Sequence, residues 1–340
     1  MISESDVKEK YRPEQAVELL SNQGTEDLFS PLTASPYIVL ELREEFSTDI
    51  IEQLIPLLAQ LPCPVIALAA ERVSTALAAV VDCVLLDEKW LTAIVGNISK
   101  APIAAMSLVQ LSKAIDKLDL MAALDMESLT YGCLQGGAEY QTWLQSYTAE
   151  PMPALSDQAP VLLERLGEVL SLTLNRPERR NSITVEMRDA LVEALALAAV
   201  DASIEKIVLQ GAGKCFSVGG ELREFGSVPD SASGHMIRSL RLPGRLLARV
   251  ANRCEARVHG ACIGAGVELP AFAGRVVATP SAYFQLPEIQ FGLIPGAGGC
   301  VSIAKRTGRH RFNQMALSGK RVNAKQALDW GLVDAVSEFF

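Results

Sequence analysis

Cysteine pairs, basic charge and long apolar runs are all scarce in this chain. Its seven cysteines, Cys63, Cys83, Cys133, Cys215, Cys254, Cys262 and Cys300, stand apart and form no C-x-x-C. That spacing excludes a disulfide framework and a zinc ribbon, and suits reduced, mostly buried thiols in a cytoplasmic protein. The three histidines, His235, His259 and His310, are isolated and no H-E-x-x-H occurs, so no metal site is expected. Lys and Arg number 31 against 40 Asp and Glu, a net charge of −9 that lacks the basic face a nucleic acid needs. A local cationic cluster could still hold an anionic ligand. No apolar run approaches the ~20 residues of a membrane span, and Met1–Lys10 is too polar for a signal peptide. What is plentiful is hydrophobic material, 49% of residues against 21% charged, enough for one large core or two modest ones.

Apolar periodicity divides the chain at a Pro- and Ser-containing linker, residues 149–160. The first half predicts a helix at Pro13–Leu20, a strand at Tyr37–Leu42 and a helix from the Ser47 cap through Leu58. Strands at Pro62–Ala69 and Val80–Leu86 follow, then helices over Leu91–Ser99, Ala101–Ala114, Met121–Gln135 and Ala138–Ser146. The second half predicts a strand at Gly167–Leu174 and a charged turn at Asn175–Asn181. A helix at Val185–Val200 capped by Thr184 and a strand at Lys206–Gly211 come next. Alternating strands and helices imply parallel sheets with crossover connections. Gly211–Lys214 lacks the spacing of a phosphate loop, and Gly264–Gly266 lacks the third glycine of a dinucleotide fingerprint.

The chemistry concentrates between His259 and Gly299. Glycines crowd residues 260–266, where a backbone must approach another group closely. Glu268 and Glu288 each interrupt an apolar segment, and burial there would raise a carboxyl's pKa into the range useful for proton transfer. The alternative is a helix-start charge at Glu268 and a solvated loop charge at Glu288.

These segments resemble the crotonase (enoyl-CoA hydratase/isomerase) family. The matching motifs are Gly260–Glu268, Leu286–Glu288 and Gly292–Gly299, with Leu170–Thr184 and Phe216–Leu222 upstream and Ala327–Asp334 downstream. They occur in the family's order across about residues 160–336. The resemblance implies an α/β, crotonase-like fold of repeated β-β-α units, with a parallel-sheet core and outer helices. It implies an acyl-CoA thioester lyase that adds or removes water across the 2,3 double bond. Gly220 and Ala265 would supply oxyanion N–H groups, and Glu268 and Glu288 hold the two hydratase positions. Arg180, Ser182, Ser217, Val218 and Leu222 would lie along the coenzyme A thioester, with no separate cofactor and no metal. Arg223, Arg238 and Arg241 either meet its phosphates or are solvated. Residues 226–245 correspond to a variable wall of the acyl pocket. The expected assembly is a homo-trimer or a dimer of trimers. A double-bond isomerase, a dehydratase for carrier-protein-bound acyl groups and a non-catalytic oligomeric scaffold remain open at this point.

Two departures stand out. Pro270 lies two residues after Glu268, where a kinked helix is expected. Residues 1–150 resemble a degraded second copy, in which the strand Pro64–Ala69 leads into Glu71–Leu77 without a glycine. Its helices resemble the family's C-terminal helices, which residues 151–340 lack. The first half is therefore expected to supply them to the second, an independent helical cap being the alternative.

Overall fold

The computed structural model describes residues 9–22, 28–44, 46–71, 73–149, 151 and 157–338. Half of the 149–160 linker and the first eight residues lie outside them. The N-terminal part is a parallel four-stranded sheet in the order Lys10–Tyr11, Ile38–Leu42, Val65–Ala69, Cys83–Leu85. Val65–Ala69 is buried at every position, as a central parallel strand covered on both faces must be. Ser47 caps the helix Thr48–Gln60 by accepting from the Ile50 N–H at 3.3 Å. The strand expected at Val80–Leu86 is shorter, because Ser74 caps a helix over Thr75–Val80 and leaves only Cys83–Leu85 extended.

The C-terminal part is a six-stranded sheet in the order Ala335–Val336, Arg275–Ala278, Cys254–Val258, Lys206–Gly211, Val169–Leu174, Val161–Leu166. It is parallel except for the outermost pair, a hairpin around Gly167 (φ 60°). Periodicity predicts no strand at Val161–Leu166. Only Val161 is buried there, so the edge strand has no alternation to read. A small third sheet, ordered Val322–Asn323, Tyr283–Gln285, Ala261–Ile263, carries the chemistry. Its parallel strands Ala261–Ile263 and Tyr283–Gln285 run in register and end within a few residues of Glu268 and Glu288.

The helices Leu91–Lys100, Pro102–Ile115, Leu120–Gln135 and Ala138–Ser146 precede the linker but pack on the second half. Ile94, Leu108 and Leu124 share one apolar core with Ile303, Phe312 and Met315. Asn97 Nδ2 donates to the carbonyls of Leu317 and Ser318, each at 2.9 Å. Asp82, fully buried, joins the same seam: it accepts from the Val65 N–H and pairs with Lys113 at 2.9 Å and Arg309 at 3.5 Å. A second apolar cluster, around Leu40, Leu54 and Leu58, belongs to the N-terminal sheet alone.

Residues 226–245 are mostly helical, as Ser231–Arg241 and the start of Pro243–Arg249. Asp230 caps the first by accepting from the Ser233 N–H at 2.8 Å, a contact that its Gly, Ser and Pro content obscures. Six cysteines are buried and Cys133 is exposed, all as free thiols. No single helix among the described residues is long and apolar enough to cross a membrane.

Candidate active site

Two turns meet to form the site, and both are held by buried polar groups. Asn181 is fully buried and adopts φ 54°, next to Arg180 at φ 53°. Its Nδ2 donates to the carbonyls of Ala212, Cys215 and Phe216, and its Oδ1 accepts from the Arg176 N–H. These bonds hold a non-glycine pair in a conformation that costs ~1–3 kcal/mol each elsewhere. Ser217 Oγ donates to the Asn181 carbonyl at 2.7 Å and accepts from the Gly219 N–H at 3.1 Å.

Glycine then lets the turns touch. A Cβ on Gly219 (φ 88°) would lie 2.6 Å from the Ile263 carbonyl oxygen, and one on Gly266 would lie 2.4 Å from that of Ser217. Gly220 and Ala265 consequently line one cavity of about 200 Å³. Neither backbone N–H donates to an acceptor among the described residues. Ala265 opens the short helix Ala265–Glu268, its turn made by Gly264 at φ 51°. The kink expected at Pro270 does not occur. The helix ends at Glu268, and Pro270 opens a separate 3₁₀ turn, Pro270–Phe272, where no backbone donor is required.

Glu268 and Glu288 line this cavity together, both nearly inaccessible. Their partners differ. Glu268 Oε2 accepts from the Ala297 N–H at 2.7 Å and the Gly299 N–H at 2.9 Å. Burial pushes its pKa up to about 7, and the two amides restrain that rise. Glu288 Oε2 is buried without a hydrogen-bond partner. Burial, then the charge of Glu268, pushes it well above the ordinary carboxylate range.

A third carboxyl, missed by the sequence reading, reaches the same turn. Glu127, on the helix Leu120–Gln135, accepts from the Gly298 N–H at 2.7 Å and the Cys300 N–H at 2.9 Å. Burial and the neighbouring Glu268 push it up to about 8. One signal was available: Glu127 lies in helical phase with the buried Ala123, Leu124 and Leu134.

Tyr131, Ile183, Phe225, Ile237, Leu242 and Leu269 form the apolar wall, so the N-terminal part contributes to it directly. Arg188, Arg238 and Arg241 stand at its margin. Arg238 lies over the Tyr131 ring at 4.8 Å and donates to Ser128 Oγ at 2.9 Å, tying two helices together. Arg241 is exposed.

A second hollow of about 410 Å³ adjoins the first across Gly220, and Arg180, Ser182, Val218 and Leu222 line it. Ser182 Oγ is engaged there with Glu221 Oε2 at 3.0 Å, and Arg223 pairs with Glu221 at 3.3 Å. Ser217 is not part of that surface. It is fully buried and its hydroxyl is used both ways, so its assignment to ligand contact is corrected to a strut of the turn. His235, His259 and His310 bond to Ser128 Oγ, the Gly213 carbonyl and the Asp82 carbonyl respectively. No cluster of three His, Cys, Asp or Glu suited to a metal occurs among the described residues.

Residues 164–338, slightly more than half of the chain, match the family model described as enoyl-CoA hydratase/isomerase. This chain belongs to the enoyl-CoA hydratase/isomerase family. It is 38% identical over 176 residues to the 2,3-dehydroadipyl-CoA hydratase of Escherichia coli K12, covering 52% of this chain and 68% of that protein. It is 36% identical over 171 residues to the 1,2-epoxyphenylacetyl-CoA isomerase of the same organism, covering 48% and 64%. A trans-2-decenoyl-[acyl-carrier-protein] isomerase of Streptococcus mutans matches at 30% over 174 residues, covering 50% and 66%. The chain thus spans about two thirds of the length of these relatives. Among solved structures, the enoyl-CoA hydratase of Mycobacterium smegmatis aligns with a TM-score of 0.49 at 32% identity, covering 53% of this chain and 70% of that one. As a family member the chain has the α/β, crotonase-like fold.

Proposed function

We propose that this protein is an acyl-CoA thioester lyase of the hydratase type. The observation that carries the reading is the cavity shared by two acceptor-free amides and two buried, differently partnered glutamates. A thioester carbonyl placed between the N–H groups of Gly220 and Ala265 accepts both. As water adds at the β-carbon, negative charge moves through the double bond onto that oxygen. Each preorganised N–H then contributes on the order of 3 kcal/mol, and the first turn of Ala265–Glu268 adds its dipole.

The glutamates divide the proton work by their partners. Two amide donors on Oε2 favour the charged form of Glu268, which takes the proton from the attacking water. Glu288, with no donor on its buried oxygen, keeps its proton and gives it to the α-carbon. One O–H bond of water and the C=C π bond break as a C–O bond forms at the β-carbon and Glu268 takes the proton. The Glu288 O–H breaks as a C–H bond forms at the α-carbon, and return of the proton from Glu268 to Glu288 resets the site. The pantetheine and nucleotide of coenzyme A would lie along the hollow bordered by Arg180, Ser182, Val218 and Leu222, with no further cofactor. A cytoplasmic setting belongs to the same proposal and is supported by the free thiols.

The test is incubation with crotonyl-CoA. Loss of the enoyl absorbance with incorporation of one water supports the lyase. Movement of the double bond without water uptake in a 3-enoyl substrate indicates an isomerase. Turnover of acyl-carrier-protein thioesters alone indicates the carrier-bound dehydratase, and inertness toward all of them indicates a scaffold.

A further inference from the structure

The turn Ala297–Cys300 offers four consecutive backbone N–H groups at the start of the helix Gly299–Thr307, and two carboxyls divide them alternately. Glu268 takes Ala297 and Gly299, and Glu127 takes Gly298 and Cys300. Both carboxyls are almost completely buried, at 2% and 1% exposure, so neither charge is screened by water. The four amides and the helix start stabilise negative charge, but two anions sharing one short strip repel each other strongly at low dielectric. Such a pair gives up its protons in two separated steps that belong to both groups together.

We propose that Glu127 is a positioning residue of this active site, holding the Ala297–Cys300 turn against Glu268 and separating the ionisation of the two carboxyls into two steps. Glu127 does not touch the reacting atoms. It acts through the turn whose amides hold Glu268, and the charge on Glu268 in turn holds the proton on Glu127. The other groups facing Glu127 sharpen this role. Glu288 lines the adjoining cavity, and the Cys300 thiol is held neutral by burial and these carboxylates. Tyr131 on its own helix is likewise pushed up by burial. Arg238, on Ser231–Arg241, is the cation facing it, and its guanidinium bonds neutral groups, Ser128 and Gln135. His235 on that helix is turned to Ser128. Of the other charges on the packed helices, Lys113 pairs with Asp82, Asp125 with Arg245, and Glu139 accepts from the Ile103 and Ala104 amides. Among the described residues no opposite charge bonds Glu127 directly, so its proton is the main means of relieving the repulsion. Two amides on one oxygen favour the anion of Glu268, whose charge holds the proton on Glu127, so Glu268 ionises first and Glu127 follows.

The inference rests on the hydratase reading only for its consequence in turnover, and its test needs no substrate. The carboxylic C=O stretch is followed by pH-difference infrared spectroscopy in the full chain, with Glu288→Gln as the background to remove that group. Between about pH 6 and about pH 9, where ordinary carboxyls are already ionised, two losses of the acid band are expected. Glu127→Gln leaves a single step. Glu268→Gln, which keeps Glu127 in place, also leaves a single step, displaced below the upper step of the parent because the repelling charge is gone. An unchanged midpoint for Glu127 in the Glu268→Gln protein overturns the proposal, as does a parent in which both carboxyls are already ionised at about pH 6. The second variant keeps the test decisive if Glu127→Gln fails to fold. In the wild-type background, Glu127→Gln is expected to lower kcat for crotonyl-CoA about tenfold through the loosened turn, with the rise of kcat/KM kept near its parent pH because neutral Gln matches protonated Glu127, and KM within about twofold. A protein inert toward every acyl thioester that still shows the coupled infrared steps overturns the hydratase reading and leaves this one standing.

Discussion

Glu268 and Glu288 are the same amino acid in the same cavity, and their neighbours give them different work. Two amides hold Glu268 toward its charged form, while Glu288 has a buried oxygen with no donor. Glu268→Gln and Glu288→Gln are each expected to lower kcat at least ~10²-fold, the scale of a lost general acid or base. Steady-state kinetics on crotonyl-CoA checks this, and impairment of only one variant reassigns the site to isomerisation. The same buried carboxyls also set a pH dependence of stability. Glu268 and Glu127 hold protons in the fold, at about 7 and about 8, that the unfolded chain releases near the ordinary 4.5. Folding therefore takes up protons in this range, and this contribution is fully present below 4.5 and lost as pH rises through about 8. The thermal midpoint is expected to fall between about pH 5 and about pH 8, and the fall to be shallower in Glu268→Gln. Equal slopes in the two proteins would count against the buried-proton account.

At the scale of elements, the site depends on how closely two turns approach. Gly219 sits where a Cβ would lie 2.6 Å from the Ile263 carbonyl oxygen. Gly219→Ala is expected to push Gly220 and Ala265 out of register and reduce kcat by ~10²–10³-fold, as loss of an oxyanion donor does. Circular dichroism should show retained secondary structure, and near-normal turnover would mean that the amides tolerate the shift. The sequence shows the glycine-rich turns because glycine itself is the signal there. It does not show the role of Pro270, since only the structure reveals that the helix has already ended at Glu268. The edge strand Val161–Leu166 and the helix Ser231–Arg241 are also obscure in the sequence. One exposes nearly all its side chains, and the other depends on a cap at Asp230 within a Gly- and Ser-containing stretch.

At the scale of the whole molecule, the helices between Leu91 and Ser146 close over the second half and share its core. Residues 156–340 expressed alone should therefore expose apolar surface, and are expected to be insoluble or molten and inactive. Co-expression with residues 1–150 is expected to restore soluble, active protein. Gel filtration and crotonyl-CoA turnover check this, and a folded, fully active fragment would make the first half dispensable. We also propose a homo-trimer or dimer of trimers, supported by exposed apolar side chains such as Met126, Leu129, Leu197 and Val200. A monomeric mass by light scattering at micromolar concentration would contradict it.

The sequence alone determined the alternation of strands and helices, the glycine turns and the presence of Glu268 and Glu288 in apolar surroundings. These are local properties, written in periodicity and in residue types a few positions apart. Tertiary structure alone decided that Ser217 braces a turn, that Glu268 is anchored while Glu288 is not, and that Glu127 joins them. Glu127 and the Gly298 amide it binds are 171 residues apart in the chain. Desolvation and repulsion between charges depend on separation in space, which no spacing along the sequence encodes.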